Sequence, residues 1–203
     1  MEQAKQYEYV DLGLPSGLKW AKCNVGATSE TDYGYYFQWG DIEDKSKSDC
    51  SWKTYEYCNG TYNTLTKYCT NSSYGTVDNK TTLESVDDAA TQIMGDGWRM
   101  PTQSEFQELL NNTTKEWTQV HGVNGYKFTS NKEGFQNNSI FIPAAGDYDD
   151  GSVDYVGKYG GVWSSSLLTS SPGSAWYLGF SSSGCGMGYY RRYDGRSVRG
   201  VMD

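Results

Sequence analysis

Strict alternation of residue types near the carboxyl terminus is the feature that most constrains how this chain folds. Within residues 175–181, the large apolar side chains Trp176, Leu178 and Phe180 fall on every second position. Successive side chains of a β-strand point to opposite faces, so these three predict one buried face. The intervening positions predict the opposite, solvent-facing side, and they are Tyr177, Gly179 and Ser181.

The alternation resumes a few residues later and predicts a second strand. Residues 185–188 alternate Cys and Met with Gly, and residues 189–194 read Tyr-Tyr-Arg-Arg-Tyr-Asp. The side opposite the apolar one is therefore rich in Tyr, Ser, Gly, Arg and Asp, and antibody-like binding surfaces use residues of these types. Together the two segments indicate a recognition protein.

Composition favours an aromatic core with many turns. Apolar residues make up only 36% of the 203 residues, but 18 Tyr and 7 Trp can bury large areas while keeping a polar tip. The 24 Gly against 4 Pro are typical of short strands joined by turns. We therefore expect an irregular, aromatic core.

Charge bears on the class of partner. A formal net charge of -8 argues against nucleic acid, because an acidic domain gains nothing from contact with phosphates. Basic residues cluster only at Arg191, Arg192, Arg196 and Arg199, where we expect them to serve structure or protein recognition. No stretch is long and apolar enough to cross a bilayer, so we predict no membrane span.

Local patterns predict two helices, at about 83–94 and 103–111. Ser85 and Asp88 have the spacing of reciprocal caps at the start of the first helix. Thr102 opens a capping box at the start of the second. Both segments carry an apolar stripe at helical spacing, which would face the core.

Short strands account for most of the remaining pattern. They are predicted as two strands within 7–23 and as one each at 33–39, 123–128, 139–143, 162–163, 175–181, 185–190 and 197–201. Residues 41–81 are polar and aperiodic, which predicts a surface insertion, and residues 147–161 predict an acidic loop. Two helices among many short strands predict an α+β fold with antiparallel sheets, in a single domain spanning 1–203.

Motifs for catalysis and metal binding are scarce. A Ser-His-Asp or Cys-His device would have to use the single histidine, His121, which we assign to a surface loop. The Asp-rich loop at 147–154 leaves calcium as an alternative to our prediction of no cofactor, although EF-hand spacing is missing. Of the five cysteines, Cys58 and Cys69 could form a bridge in an oxidising compartment, or all five could be reduced.

Several segments resemble the Fibrobacter succinogenes major paralogous domain. In the order of that family they are YVDLGLPSGLKWA at 9–21, CNVGA at 23–27, YYFQWG at 35–40, GWRMPT at 97–102, IFIPAAG at 140–146, WSSS at 163–166 and SVR at 197–199. That family is similar to C-type lectin folds and to the formylglycine-generating sulfatase-modifying enzymes. The resemblance implies a C-type-lectin-like fold, with two helices around short antiparallel sheets. Residues 99–102 followed by Glu105 look like the strand-to-helix signature that these groups share.

The end of the chain looks like the variable region of a diversity-generating retroelement target protein, here at about 163–203. In such systems Asn codons of a template repeat are randomised at their adenines, which yields Tyr, Asp, Gly, Ser, Arg or Cys but never a stop. The resemblance implies diversified, ligand-binding positions at Tyr177, Gly179, Ser181, Cys185, Gly186, Gly188, Tyr189, Tyr190, Arg191, Tyr193 and Asp194. It implies a fixed scaffold at Trp176, Leu178, Phe180, Met187, Arg192, Gly195, Val198 and Val201.

These resemblances imply a non-enzymatic, ligand-binding protein whose target is a protein or a cell-surface structure. A fixed bacterial surface adhesin or glycan-binding module of the same family is the alternative. Either protein would be found at the bacterial cell surface or outside the cell, or on a phage particle. Sulfatase-modifying activity is not expected, because it needs a pair of reactive cysteines late in the domain and Cys185 alone lies there.

Overall fold

The computed structural model describes residues 7–45, 50–95, 97–149 and 152–203. It confirms an α+β architecture of mostly small antiparallel sheets with two α-helices. The strands are β1 (Tyr9–Asp11), β2 (Lys19–Asn24), β3 (Thr113–Val120), β4 (Val123–Ser130), β5 (Ser139–Pro143), β6 (Asp147–Asp149), β7 (Ser152–Asp154), β8 (Tyr159–Leu167), β9 (Ser174–Ser181), β10 (Gly184–Arg191) and β11 (Arg199–Met202). The helices are α1 (Ala89–Met94) and α2 (Gln103–Asn112).

Within the described ranges, the strands form three three-stranded sheets and one two-stranded hairpin. Their orders are β1-β2-β11, β3-β4-β5, β10-β9-β8 and β6-β7, and the pairings between them are antiparallel. We call β8, β9 and β10 the closing sheet. Strand β11 returns to pair with β2, so the first sheet joins the early and late parts of the chain.

The prediction of a strand at 33–39 is wrong. That segment contributes an isolated bridge between Phe37 and Arg196. Gly34 and Gly40 at its ends have φ values of 71° and 86°, so the backbone bends where a strand would have to stay extended.

Two further elements were not expected from the sequence. Strand β3 reads TTKEWTQV and is an edge strand with several exposed side chains, so it shows no clean apolar alternation. The acidic segment expected to be a loop contains the β6–β7 hairpin, in which Tyr148 is buried and Val153 is exposed. Short hairpins of this kind carry too few residues for a periodic signal.

Helix α2 forms as predicted. The Thr102 hydroxyl accepts from the backbone N–H of Glu105, and the Glu105 carboxylate accepts from the backbone N–H of Thr102. Phe106, Leu109 and Leu110 lie on its buried face. Local capping and tertiary burial therefore agree at this element.

The start of the first helix differs from the prediction. A 3-10 turn occupies Ser85–Asp87, and α1 begins only after Asp88, whose side chain accepts from the N–H of Thr91. The residue before the turn makes no side-chain cap, and Val86 is 61% exposed and thus outside the core. The Asp88 carboxylate also accepts from the N–H of Met100, which fixes the start of α1 to the segment that precedes α2.

The polar insertion is irregular, as predicted, but its assignment to the surface is wrong in part. Tyr55, Leu65 and Tyr68 are buried. The Arg192 guanidinium donates to the Tyr55 hydroxyl at 2.8 Å and to the carbonyls of Tyr68 and Lys67, both at 3.1 Å. The insertion is therefore held against the end of the chain by these hydrogen bonds.

All five cysteines are free thiols, so Cys58 and Cys69 form no bridge.

Two apolar clusters meet at the closing sheet. Leu178 and Phe180 of β9 pack in the cluster that contains Phe106 of α2, and Ala175 packs in the cluster that contains Trp163. Each large apolar side chain fully buried contributes on the order of 1.5–3 kcal/mol. The described helices are all too short or too polar to span a membrane.

Candidate functional site

Register in the closing sheet assigns each residue to one of two faces. Residues directly opposite each other in an antiparallel pair lie on the same face. Leu178 is opposite Met187 and faces the core, whereas Tyr177 is opposite Gly188 and faces away from that core. We call the second side the tyrosine face, and it carries Tyr159, Tyr177, Gly179, Ser181, Gly186, Gly188 and Tyr190.

Cys185 and Tyr189, which the retroelement resemblance places among the ligand-binding positions, do not lie on the tyrosine face. Cys185 is opposite Phe180 and packs against the core, where burial raises the pKa of its thiol to about 11. Tyr189 is opposite Trp176 and packs edge-on against it, with ring centroids 5.7 Å apart. The turn between β9 and β10 sets a register in which odd-numbered positions of β10 continue the apolar side.

At the edge of this apolar face, Trp176 and Tyr189 are more exposed to solvent than the alternation predicts. Trp176 is only half-buried, although the alternation predicted it in the core, and Tyr189 is 58% exposed. The core ends before this pair because both residues lie where the closing sheet extends past the apolar cluster. The two rings therefore form a small aromatic patch on the surface.

Tyr193 and Asp194 are also placed differently from the prediction, since both are buried. Strand β10 ends at Arg191, and the chain then turns inward. The Tyr193 ring packs edge-on against Trp52 with centroids 5.1 Å apart. Asp194 is 0% exposed, so neither residue can offer its side chain broadly to a ligand.

Tyr190 lies on the exposed rim of the tyrosine face. Arg191 is opposite Ser174 and so belongs to the other face by register, but its guanidinium packs against the Tyr190 ring. The Arg191 guanidinium carbon lies 5.0 Å from the Tyr190 ring centroid and 4.9 Å from that of Tyr193. Nη2 of Arg191 lies 3.6 Å from the Asp149 carboxylate, and Nε lies 3.9 Å from the Asp194 carboxylate. Arg191 is thus held in place by stacking and charge while its side chain stays 44% exposed.

A pocket of about 240 Å³ opens on the tyrosine face. We call it the tyrosine pocket, and it is lined by Asp147, Tyr155, Tyr159, Tyr177, Tyr190 and Arg196. Tyr177 and Tyr190 come from β9 and β10, the two strands predicted to vary. Asp147 and Tyr155 come from the β6–β7 hairpin and the residue after it, and Arg196 comes from the segment after β10.

Arg196 lies in a cage of aromatic rings. Its guanidinium carbon is 4.2 Å from the centroid of Tyr177, 5.0 Å from Tyr190, 5.3 Å from Trp163 and 5.9 Å from Tyr159. The side chain is only 2% exposed, and the backbone is fixed by the bridge to the segment before the insertion. Cation–π contacts of this kind strengthen when they are desolvated.

Hydrogen bonds leave this buried cluster incompletely paired. Nη2 of Arg196 donates to Asp147 at 3.2 Å and to Asp194 at 3.4 Å. Among the described residues, Nε and Nη1 of Arg196 and one carboxylate oxygen each of Asp147 and Asp194 have no hydrogen-bond partner. Buried polar atoms are nearly always paired, so four unpaired atoms in one cluster require an explanation.

Glycines make room for the rings of the tyrosine face. A Cβ at Gly179 would lie 2.8 Å from Cε2 of Tyr177 and 2.9 Å from the Tyr159 hydroxyl, and one at Gly188 would lie 3.1 Å from the Tyr177 ring. A Cβ at Gly186 would meet no atom within 4 Å. Two of the three glycines are therefore packed under tyrosine rings, and Gly186 is open.

Burial dominates the electrostatics of the carboxylates. It raises the pKa of Asp194 to about 7, although the nearby Arg196 guanidinium opposes the rise. Burial likewise raises the pKa of Asp147, with Arg196 again opposing and Asp149 adding to the effect. Both acids thus hold their protons more strongly than ordinary aspartates.

Sequence reasoning found only part of this pocket. Tyr177 and Tyr190 were predicted to contact a ligand, whereas Tyr155 and Tyr159 were not, because they come from a loop and a strand upstream of the alternating segment. Arg196 was noticed only as one of four late arginines. The available signal for a buried role was that Arg196, a charged residue, stands two positions before Val198, which is buried in the core.

His121 and the acidic residues offer no equivalent site. His121 sits in the turn between β3 and β4 with φ at 49° and lines a separate cleft of about 480 Å³. Within the described ranges, no group of three or more His, Cys, Asp or Glu side chains is placed to hold a metal ion. Asp150, one of the acids considered for calcium, lies outside those ranges.

Comparisons with models of protein families, with curated proteins and with solved structures found no match to this chain.

Proposed function

We propose that this chain is a non-enzymatic recognition protein with a C-type-lectin-like fold, which binds a protein or cell-surface ligand through its tyrosine face. We further propose that the exposed positions of this face are diversified by a retroelement. The protein would act at the bacterial cell surface, outside the cell or on a phage particle.

Support for the fold comes from the segment that resembles the strand-to-helix signature. Arg99 bridges Val201 of β11 and pairs through both Nη atoms with the carboxylate of Glu105, at 2.8 and 2.7 Å. Glu105 also closes the capping box of α2. The motif therefore links the last strand to the start of the helix, which is a structural reason for its residue types.

The tyrosine pocket is the observation that carries the proposed function. Rigid tyrosine rings give large contact area at little cost in side-chain entropy, and the Arg191 rim adds a charged, stacked contact. The opposite face of the same strands holds Leu178 and Phe180 in one apolar cluster, while Tyr177 packs against the other cluster, which contains Trp163.

Thiol chemistry gains no support from the environment of Cys185. Burial raises its pKa to about 11, and the thiolate, not the thiol, is the reactive nucleophile. A fixed adhesin or glycan-binding module remains the second hypothesis, because the pocket is sized for a single small group.

The gene and its neighbourhood test diversification. A template repeat should differ from the gene mainly at adenines under codons of the tyrosine face, with a reverse transcriptase nearby. We expect these differences at positions with open space or an exposed side chain, such as Gly186, Tyr190 and Arg191, and few differences at the buried Leu178 and Phe180. Equal numbers of differences in both groups would contradict the proposal.

Binding through the tyrosine face is tested by substitution at its rim. Labelled protein would be applied to arrays of bacterial surface proteins and glycans. Tyr190→Ala and Arg191→Ala should each weaken binding about tenfold or more, as expected of central aromatic and Arg contacts. Tyr9→Ala is the matched control, since Tyr9 is 51% exposed on β1, in a different sheet. Equal losses in control and rim variants would refute the assignment.

A further inference from the structure

Two Asn–Gly pairs occur in this chain, at 59–60 and at 124–125. In such a pair the backbone nitrogen of the glycine is able to attack the side-chain carbonyl carbon of the asparagine, because glycine has no Cβ to obstruct the approach. The attack is intramolecular, so no entropy is lost in bringing two molecules together. It requires a free side-chain amide, a glycine N–H without a partner and a backbone with room to bend into a ring.

The pair at Asn59 and Gly60 meets these requirements. It lies in a turn of the polar insertion, outside any helix or strand, and Asn59 is exposed. Within the described ranges, neither the side-chain amide of Asn59 nor the N–H of Gly60 makes a hydrogen bond. The φ of Gly60 is 88°, and a Cβ there would meet no atom within 4 Å, so the space around the pair is open.

Hydrogen bonds hold this turn at its ends. The backbone N–H of Asn59 donates to the carbonyl oxygen and to the hydroxyl of Thr64, both at 3.1 Å. Cys58 and Leu65 form an isolated β-bridge just outside these two residues. The ends of the turn are therefore fixed, and only the side chain of Asn59 and the peptide that follows it have to rotate for the attack.

The pair at Asn124 and Gly125 meets none of the requirements. Both residues lie in β4, the central strand of its sheet. The Asn124 side chain donates to the carbonyl of Gly157 at 2.8 Å and accepts from the amide of Gln119 at 2.7 Å. A Cβ at Gly125 would lie 2.4 Å from the carbonyl oxygen of Ile142, so the backbone has no room to bend. This second pair is an internal control of the same sequence.

We propose that Asn59 is a site of spontaneous deamidation, which converts it to a mixture of aspartate and isoaspartate. Hydroxide removes the proton of the Gly60 nitrogen, and this nitrogen then bonds to Cγ of Asn59. The bond from Cγ to the side-chain nitrogen breaks, and that nitrogen takes a proton from water and leaves as ammonia. Water opens the resulting succinimide at either carbonyl, which gives aspartate or isoaspartate.

The modification changes both charge and backbone. Either product adds a negative charge to a chain that is already acidic. Isoaspartate also lengthens the main chain of the turn by one carbon atom, so the contacts between Asn59 and Thr64 have to rearrange. Because the turn contributes no residue to the tyrosine pocket, this inference stands independently of the proposed function.

Incubation of the full-length protein at mildly alkaline pH and body temperature tests the proposal. Ion exchange of the intact protein would follow the more acidic species over several days, and peptide mapping by mass spectrometry would locate it. An isoaspartyl methyltransferase with a labelled methyl donor would measure isoaspartate. Asn59→Gln is the matched control, because glutamine keeps the amide but has to close a larger ring, and Asn59→Asp marks the elution position of the aspartate product.

We expect the acidic species to form faster as pH rises and to be absent from Asn59→Gln. Asn124 should convert at least about tenfold more slowly than Asn59, since it has to wait for local opening of a central strand. A synthetic peptide of residues 56–66 gives the rate without the fold. Conversion of Asn59 about tenfold or more slower than in this peptide, or equal conversion of Asn59 and Asn124 in the folded protein, would overturn the proposal.

Discussion

Leu178 and Gly186 lie on neighbouring strands of the closing sheet but on opposite faces, so they test how far the frame and the binding surface are independent. Leu178 is 0% exposed and packs against the α2 cluster. Gly186 is open, since a Cβ there would meet no atom within 4 Å. We therefore compare Leu178→Ala with Gly186→Ser.

The expected magnitudes differ several-fold. Truncating a buried leucine to alanine costs about 2.7–5.0 kcal/mol, from lost transfer free energy and the cavity that remains. A change on a solvated surface costs within about 0.5 kcal/mol. For a chain of 150–250 residues each kcal/mol lowers the melting temperature by about 2–4 °C. Leu178→Ala should thus lower it by roughly 5–20 °C, and Gly186→Ser by about 2 °C or less.

Thermal and urea unfolding followed by far-UV circular dichroism measure both variants. Gly179→Ser is the informative third variant, because its Cβ would press on Tyr177 at 2.8 Å. It should cost more than Gly186→Ser, and Tyr177→Ala should relieve part of that cost in the double variant. Similar melting temperatures for the Leu178 and Gly186 variants would refute the separation of frame and surface.

Three further predictions follow from other buried contacts. Asp194 holds its proton up to about pH 7 in the folded state but only to about its ordinary value of 3.8 when unfolded, so the folded state binds more protons between these values. Stability relative to Asp194→Asn should therefore fall as pH rises from about 4 to 7 and level off above, as measured by urea unfolding at pH 5 and pH 8; a rise would contradict the assignment. Arg192→Ala should destabilise the protein by about 3 kcal/mol or more in urea unfolding, because several buried acceptors lose their donor, and a change below about 1 kcal/mol would show that the insertion is not held by Arg192. Thr102→Ala should cost about 1 kcal/mol by loss of the α2 cap, whereas Thr102→Ser, which keeps the hydroxyl, should cost much less.

The parts of the fold that were predictable carry strong local signals. Helix α2 was predicted because its capping box and its apolar face agree. Strand β9 was predicted because its apolar residues alternate, and Leu178 and Phe180 are indeed buried. Strand β3 was missed, since an edge strand facing solvent has no need of such alternation.

The candidate site was harder to predict because register decides it. Alternation identifies two sides of each strand but does not say which side of β10 matches which side of β9. The turn between them puts Cys185 and Tyr189 on the apolar side, although the retroelement resemblance lists both among the ligand-binding positions. Tyr159 and Arg196 reach the pocket through long-range pairing, with Ser181 and Phe37 respectively, and no local pattern encodes those distances.

The crowding of Gly179 and Gly188 around the Tyr177 ring has a consequence for any variation of this surface. A larger residue at either glycine needs a smaller one at position 177, so the three positions form an epistatic unit. The number of workable combinations is then well below the product of the choices at each position. Libraries built on this scaffold would sample more folded members by varying the three codons jointly and Gly186 freely.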